Sequence, residues 1–555
     1  MGDAEPVRSA IVLSLNGATT RAIVTDRVEG EPRLVASASV VGRSAVPALE
    51  VIERRLGRCV LQSGRPISAR SVLGDGADAW ISVGLPLSRP TVVLVALGGQ
   101  NFAAELAATA ARASPVRVSQ LVVDETTSPT VLAQKLNEQR PDLLLLAGLA
   151  DDAVWRTTFA AVTSAIGDEW RPRLGIVVAP EAIQQHVAAA LGEQLELMGV
   201  DPGEYAPAEV VRALSAELRA QAVEALRSEL EGTFSEQLVD RLTALERAAA
   251  FLVRRADQRL ALVDLEQGTT VLWARAEGLA TIYRAEQDLG HQALGLAELG
   301  SESVLRWLPW SIGDDELLDW LANRVLSPYP VILNERDQFL AAAFVRALLR
   351  AVAGGIEQQD VREDITLVAL GPWFATLPPA LAVLCALDGI EPVPASGLVS
   401  IALDEADLLA AGGAIAEFHP GYAARVLERD ALLPLAHALV LTGDGVEGAI
   451  AVRGELRTGE IVQRFSVPWG SVHVLPFSPG TFAELSVEPE SGVRIGGLEA
   501  GVALQFTGDA ALGWARLGVV IDARGRPLRL PSDPAARMRR LRSWLADLGL
   551  SGGAV

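Results

Sequence analysis

The chain has 555 residues, half of them apolar, and a formal net charge of −21. That length exceeds what one hydrophobic core organises and predicts three or four domains. The acidity argues against a nucleic-acid backbone as partner. Cys59 and Cys385 are too few for a disulfide framework or a thiolate metal site. A single lysine, Lys135, stands among 48 basic residues, which reads as genomic base composition before it reads as function. The five histidines (His186, His291, His419, His437, His473) lack metal-ligand spacing. Acids at Asp3 and Glu5, with no basic stretch before Ile11, argue against a signal peptide. No apolar run approaches the roughly 18 residues of a membrane span. The expectation is a soluble, cytoplasmic protein without a metal centre.

In chain order, Ile11–Leu15, Arg21–Asp26 and Arg33–Val40 read as three successive antiparallel strands, with Glu29-Gly30-Glu31-Pro32 as a turn. Strands at Thr91–Leu97, Val116–Val123, Leu143–Ala147 and Leu174–Val178 then alternate with helices at Asn101–Arg112, Thr130–Glu138 and Trp155–Ile166. This is the pattern of parallel βαβ units. From Pro207 to about Gln258, apolar positions such as Val210, Leu214, Leu218, Ala222 and Leu226 recur at helical spacing. A new strand opens at Leu260. Helices are expected at Ser303–Trp307, Asp315–Val325, Arg336–Val352, Pro379–Leu387 and Gly413–Val426, with a strand at Asp364–Leu370. After residue 438 short strands with Gly and Pro between them suggest a small sandwich or barrel, and a helix at Pro534–Leu548 closes the chain. The expected domains are a first α/β lobe over 1–200, a helical connector over 201–258, a second α/β lobe over 259–437, and a β-rich domain with a terminal helix over 438–555.

Two stretches are built alike. Ser14, Asn16, Gly17, Thr19 and Thr20 lie in a strand–turn–strand segment that opens the first half, and Asp264, Gln267, Gly268, Thr269 and Thr270 lie in another that opens the second. A hairpin turning on Gly and Thr gathers backbone N–H groups and hydroxyls into a concavity that suits a phosphate. Two of them, one at the head of each half, predict a duplicated fold with the hairpins facing each other across one cleft.

The arrangement looks like the actin, sugar-kinase and Hsp70 ATPase fold, a duplicated ribonuclease H-like α/β architecture of two lobes, here with a C-terminal β-rich domain. Within it the chain resembles the glutamate mutase L family, the MutL-type proteins linked to adenosylcobalamin-dependent glutamate mutase. Ser14–Ala22 and Val263–Val271 correspond to that family's two phosphate hairpins. Asn323–Leu348, Leu387–Ala416 and Gly518–Pro531 are similar to further blocks. The resemblance implies an ATP site with magnesium, and a protein partner that is an intact paralogue or a mutase complex.

The departures from the family pattern shape the functional expectation. Ser14 replaces the acid that orients magnesium, and Asn16 replaces a glycine. Glu266-Gln267 places a carboxylate where a γ-phosphate would sit. The adenosine-contacting loop reads Gly371-Pro372-Trp373-Phe374, so a donor is lost and two aromatics stand ready to fill the pocket. The loop Ala147–Asp152 lacks paired glycines. We therefore expect a pseudo-ATPase with decayed phosphate hairpins and a decayed adenosine loop, no cofactor, and work done through protein–protein interaction as a scaffold or partner subunit. One alternative is an ATP-binding chaperone or reactivase of a B12-dependent mutase, with Asp264 holding magnesium through water and Thr19, Thr20, Thr269 and Thr270 holding phosphates. Another is a polymerising actin-like structural protein.

Other candidates carry less. Asp151 and Asp152 follow a buried strand, where sites occur, but read more naturally as an acidic helix cap. Asp288 reads equally well as a phosphate-side loop residue or a turn. Trp307, Trp310 and Trp320 suggest packed tryptophans rather than a partner surface. Trp469, Phe477 and Phe482, beside Pro-rich loops, are candidates for partner contact in the β-rich region. Arg537–Arg542 reads as the solvated face of a terminal helix. No G-x-S-x-G elbow and no Walker A loop occurs.

Overall fold

The computed structural model describes residues 7–17, 19–67, 75–99, 101–149, 152–167, 170–230, 236–256, 259–266, 268–276, 280–285, 289–298 and 300–550. The chain divides into two compact units, residues 1–80 with 243–555, and residues 81–242.

Three antiparallel strands open the chain: β1 (Ser9–Asn16), β2 (Thr19–Val28) and β3 (Glu31–Val41). Every residue of β1 is buried, as its run of Ile11, Val12 and Leu13 demands of a strand covered on both faces. A short ladder of β4 (Leu61–Gln62) and β5 (Arg65–Pro66) leads to β6 (Ala79–Gly84). The division between the units falls inside β6.

Next come β7 (Thr91–Leu97), β8 (Arg117–Val123), β9 (Leu143–Gly148), β10 (Leu174–Val178) and β11 (Leu197–Val200). They form their own parallel sheet in the order β11–β10–β9–β7–β8. Helix Pro207–Glu229 belongs to this unit, because its Val210, Leu214 and Leu218 pack with Val92, Leu94 and Ala107. The stretch expected as a connector is therefore divided, half of it completing the parallel unit. β12 (Leu238–Asp240) then pairs in parallel with β6, and the first sheet reads β12–β6–β1–β2–β3.

The second half repeats the plan. β13 (Arg259–Asp264), β14 (Thr270–Ala274) and β15 (Ala280–Arg284) are antiparallel. β16 (Ile365–Leu370) and β17 (Leu398–Asp404) add in parallel beside β13. Counted from its own hairpin, each sheet has the strand order 3-2-1-4-5. The fold is mixed α/β, a duplicated actin-like, ribonuclease H-like core. Its second lobe packs around helix Glu335–Ala353, in which Phe339–Ala343, Phe344 and Val345 are all buried.

The expected separate β-rich domain is corrected by the strand pairing. β18 (Leu433–Gly443) runs through the boundary set at residue 438 and pairs antiparallel with β17. β19 (Ile450–Thr458), β20 (Ile461–Pro468), β21 (Val472–Leu475), β22 (Phe482–Pro489), β23 (Val493–Ile495), β24 (Leu504–Phe506), β25 (Leu512–Gly513) and β26 (Val519–Asp522) follow. β26 pairs with β18, and β21 with β26, so the second lobe's sheet continues into the C-terminal region. Sequence periodicity shows that such strands exist but not which distant strand they choose. Among the described residues of this region, the sheet β20–β19–β22–β24, with β25 paired to β22, stands apart from that continuation.

The two stretches quoted above near residues 388 and 524 meet in a buried ion cluster. Arg524 pairs with Asp522 and Asp388, both at 2.8 Å, and Arg346 reaches Asp388 at 3.0 Å. Arg526 pairs with Asp522 as well. The terminal helix Pro534–Asp547 is pinned by Trp544, whose Nε1 donates to the Gly470 carbonyl. Its arginines are engaged rather than simply solvated: Arg537 pairs with Glu302 and Arg540 with Glu447.

The single helix expected over Gly413–Val426 is two, Leu408–Phe418 and Pro420–Asp430. Pro420 lacks the N–H that would continue the first. Helix Arg241–Ala256 crosses the first of these closely: a Cβ on Gly413 would lie 1.8 Å from the Ala244 carbonyl oxygen.

Candidate functional site

Alternation along β1 sends Ser14 and Asn16 to one side of the strand. Register places Asn16 opposite Thr19, closing the tight turn at Gly17, whose φ of +52° is left-handed. Ser14, Asn16 and Thr19 are all buried. They face acids that come from the other half of the fold.

Ser14 Oγ donates to Asp407 Oδ2 at 2.5 Å, and Asn16 Nδ2 donates to Ser14 Oγ at 2.8 Å. The same amide reaches Asp407 Oδ2 and Glu266 Oε1, each at 3.3 Å. Thr19 Oγ1 stands 3.5 Å from Glu266 Oε1 and also donates to the Asn16 carbonyl. The two hairpins therefore meet, and the contact runs from neutral donors on the first to a carboxylate on the second. Thr20, the next residue of β2, points away and gives its hydroxyl to the Gly42 carbonyl at 2.8 Å.

In the second hairpin Asp264 turns inward on its own loop, accepting the Glu266 N–H at 3.1 Å. Thr269 donates to Gln292 Oε1 at 2.7 Å, and its carbonyl accepts from the Ala285 N–H. Thr270 pairs with Asp264 and Arg284 in the ladder. Gly268 adopts φ of +127°. Gln267 lies outside the described residues, as do Ala18, Asp151 and Asp288.

Gly371 holds φ of +92°, and a Cβ there would stand 2.9 Å from Glu266 Oε2 and 3.3 Å from the Leu265 carbonyl carbon. The glycine is thus what lets the Glu266 carboxylate lie against this loop. Pro372 starts the short helix Pro372–Ala375. Trp373 and Phe374 are buried in the second lobe, with Trp373 Nε1 donating to the Pro328 carbonyl and its ring 5.1 Å from Phe344. Trp307, Trp310 and Trp320 are packed too: Arg346 lies over Trp307, while Trp310 and Trp320 meet Phe339 and Phe344 edge-on. Trp469 and Phe477 pack against the C-terminal core, whereas Phe482 is exposed.

Sequence reasoning missed the acid pair at the end of β17. Asp404 accepts the Leu408 and Leu409 N–H groups, each at 2.8 Å, capping helix Leu408–Phe418. Asp407, at φ of +62°, turns toward Ser14. Burial first, and the charge of Asp407 second, push the Asp404 carboxyl up to about 7. The signal was present as two acids three apart after an apolar strand, but nothing local ties them to a serine 393 positions away. Arg21, half-buried, donates to the Glu405 carbonyl at 2.8 Å.

No protein-family model matches the chain, and no curated protein matches it. Among solved structures it is similar to a Ppx/GppA family member from Aquifex aeolicus (9% identity, 66% of this chain and 67% of that one, TM-score 0.17). It is also similar to a carbohydrate kinase from Novosphingobium aromaticivorans (10% identity, 78% and 94%, TM-score 0.27). A third is the acetate kinase of Porphyromonas gingivalis (11% identity, 69% and 87%, TM-score 0.23). The actin-like fold rests on the strand order above, to which these likenesses add no argument. Among the described residues no helix is long and apolar enough to cross a membrane.

Proposed function

We propose that the cleft between the two hairpins is a latch rather than an ATP site, and that the protein works as a non-catalytic partner subunit of the glutamate mutase L type. The observation that carries this reading is the Glu266 carboxylate, which lies within reach of Asn16 and Thr19 where a phosphate nest would hold its anion. A phosphate brought to the same donors would meet that carboxylate, and like charges about 4 Å apart repel by roughly 1–4 kcal/mol at effective dielectrics between water and a protein surface. Ser14 supports the reading from the other side, because it donates to Asp407 instead of offering a carboxylate to a cation. Pro372, Trp373 and Phe374 support it at the adenosine loop, where the aromatics complete the second lobe's own core. These residues do not fit a magnesium-bound triphosphate. The partner, on the same family resemblance, is an intact paralogue or a B12-dependent mutase complex.

Calorimetric titration of the full chain with ATP and with ADP, each with and without magnesium, tests the proposal. No saturable heat is expected in any arm. Magnesium-dependent ATP binding that Asp264→Ala abolishes would instead establish the reactivase reading.

A further inference from the structure

A second constellation lies at the opposite ends of the second lobe's parallel strands, where β13, β16 and β17 begin. A cavity of ≈ 670 Å³ opens there, and Ser400 is part of its wall. Register sets Ser400 directly opposite His437 across the antiparallel pair β17–β18. The two side chains touch, Ser400 Oγ lying 3.1 Å from His437 Nδ1. On the far side of the ring, Nε2 is 2.8 Å from the Gly513 carbonyl oxygen. A carbonyl can only accept, so Nε2 carries the proton and Nδ1 presents its lone pair to the serine. Burial holds the imidazole below its usual range, which keeps it neutral at pH 7. Nucleophile, base in the required tautomer and a third group fixing the base are thus in place.

We propose that Ser400 and His437 form a nucleophile–base dyad that cleaves a small ester bearing an anionic arm. The reading is independent of the cleft, which lies at the other ends of these strands. Ser400 Oγ attacks the ester carbonyl carbon while its proton passes to His437 Nδ1. The tetrahedral adduct collapses, the carbon–oxygen bond to the alcohol breaks, and Nδ1 returns the proton to the leaving oxygen. Water then attacks the acyl-serine with His437 taking its proton, and Ser400 leaves reprotonated. Charge in the cavity selects the substrate. Glu363 is engaged by Arg259 and Arg275, and Asp364 accepts the Ser396 N–H. Arg362 lines the cavity and makes no ion pair among the described residues, so it is the group left to hold a carboxylate or phosphate on the ester. The orienting group is a carbonyl in place of a carboxylate, so slow turnover is expected.

Incubating the purified full chain with a fluorophosphonate and mapping the adduct by mass spectrometry gives the primary test. Labelling at Ser400 is expected, with a rate that drops at least tenfold in His437→Gln and falls as pH is lowered through and below the ordinary imidazole range. Hydrolysis of a nitrophenyl hemisuccinate should slow several-fold more in Arg362→Ala than hydrolysis of nitrophenyl acetate. Absence of an adduct at Ser400 on the folded wild-type chain would overturn the dyad. So would labelling indifferent to His437→Gln in a variant whose circular dichroism matches wild type. Equal loss of both esters in Arg362→Ala would overturn the anionic arm alone.

Discussion

Two buried acidic clusters in this molecule shift the same residue type in opposite directions. At the cleft, Asp404 and Asp407 meet a serine hydroxyl, an asparagine amide and two backbone N–H groups. Within the second lobe, Asp388 and Asp522 meet the guanidinium groups of Arg346, Arg524 and Arg526. Burial raises the carboxyl at both places, since it penalises the charged form. Counter-charge decides the outcome. Asp522 is driven well below the usual carboxylate range by Arg524 and Arg526, which outweigh its burial, whereas Asp404 is pushed up to about 7 by burial and then by its acidic neighbour. One cluster fastens charge on charge; in the other, Asp404 is held by backbone N–H groups and is left able to take up a proton.

The largest effect should come from breaking the charged cluster. Asp522→Ala leaves Arg524 and Arg526, whose side chains are 0% exposed, without a carboxylate they share, Asp388 remaining for both and Glu391 for Arg526. Truncating one member of a buried, hydrogen-bonded ion pair costs about 3–5 kcal/mol, because the surviving charge stays buried. Equilibrium denaturation in urea should register a loss of that size. Asp407→Asn, which keeps an acceptor for the Ser14 hydroxyl, should cost far less. Equal losses would erase the distinction between the clusters.

How much of this was open to the sequence follows the same division between near and far. The hairpins, most α/β elements and the carboxylate in the second turn were legible, because each depends on residues a few positions apart. The partner of Ser14 was not, since Asp407 arrives from the other half of a duplicated fold. The strands after residue 433 were legible as strands but not as extensions of the second lobe, because pairing with β17 is chosen in three dimensions. Ser400 and His437 stayed invisible for the same reason: 37 positions apart, they are neighbours only across a sheet. The unbroken helix expected over Gly413–Val426 was a local error, in which apolar periodicity was allowed to outrank Pro420.

A pH titration sharpens the comparison next. The folded-state carboxyl of Asp404 lies above its unfolded value, so its contribution to stability is complete below about pH 4 and is lost as pH rises through about 7. The shift amounts to a few kcal/mol by the rule of about 1.4 kcal/mol per unit. Asp522 and Asp388 are lowered, and their contributions are lost only as pH falls through and below the ordinary carboxylate range. His419 and His437 are lowered by burial, so theirs are lost as pH falls below about 6.5 and oppose the trend. Subtracting the stability curve of Asp404→Asn from that of wild type removes these background groups. The difference should decline from pH 4 to pH 8, and a flat difference would show that Asp404 does not hold the proton.

The smallest expected effect concerns Ser14, and it tests whether the latch is built from two contacts or one. Ser14→Ala removes a donor to a carboxylate, a bond of about 1.5–3 kcal/mol, and takes from Asn16 Nδ2 its nearest acceptor. Part of that loss is recovered because the amide still reaches Asp407 and Glu266 at 3.3 Å, so a net cost near 1 kcal/mol is expected. Paired with Asp407→Asn, the double-mutant cycle should show coupling of about 1 kcal/mol, since the two side chains share one short bond. Paired with Glu266→Gln, it should show less, because the Asn16 amide stands between Ser14 and Glu266. Strong coupling in both cycles would mean that serine, amide and both acids move as one network. Placing an acid there with Ser14→Asp would then disturb the whole hairpin contact rather than the Asp407 side alone.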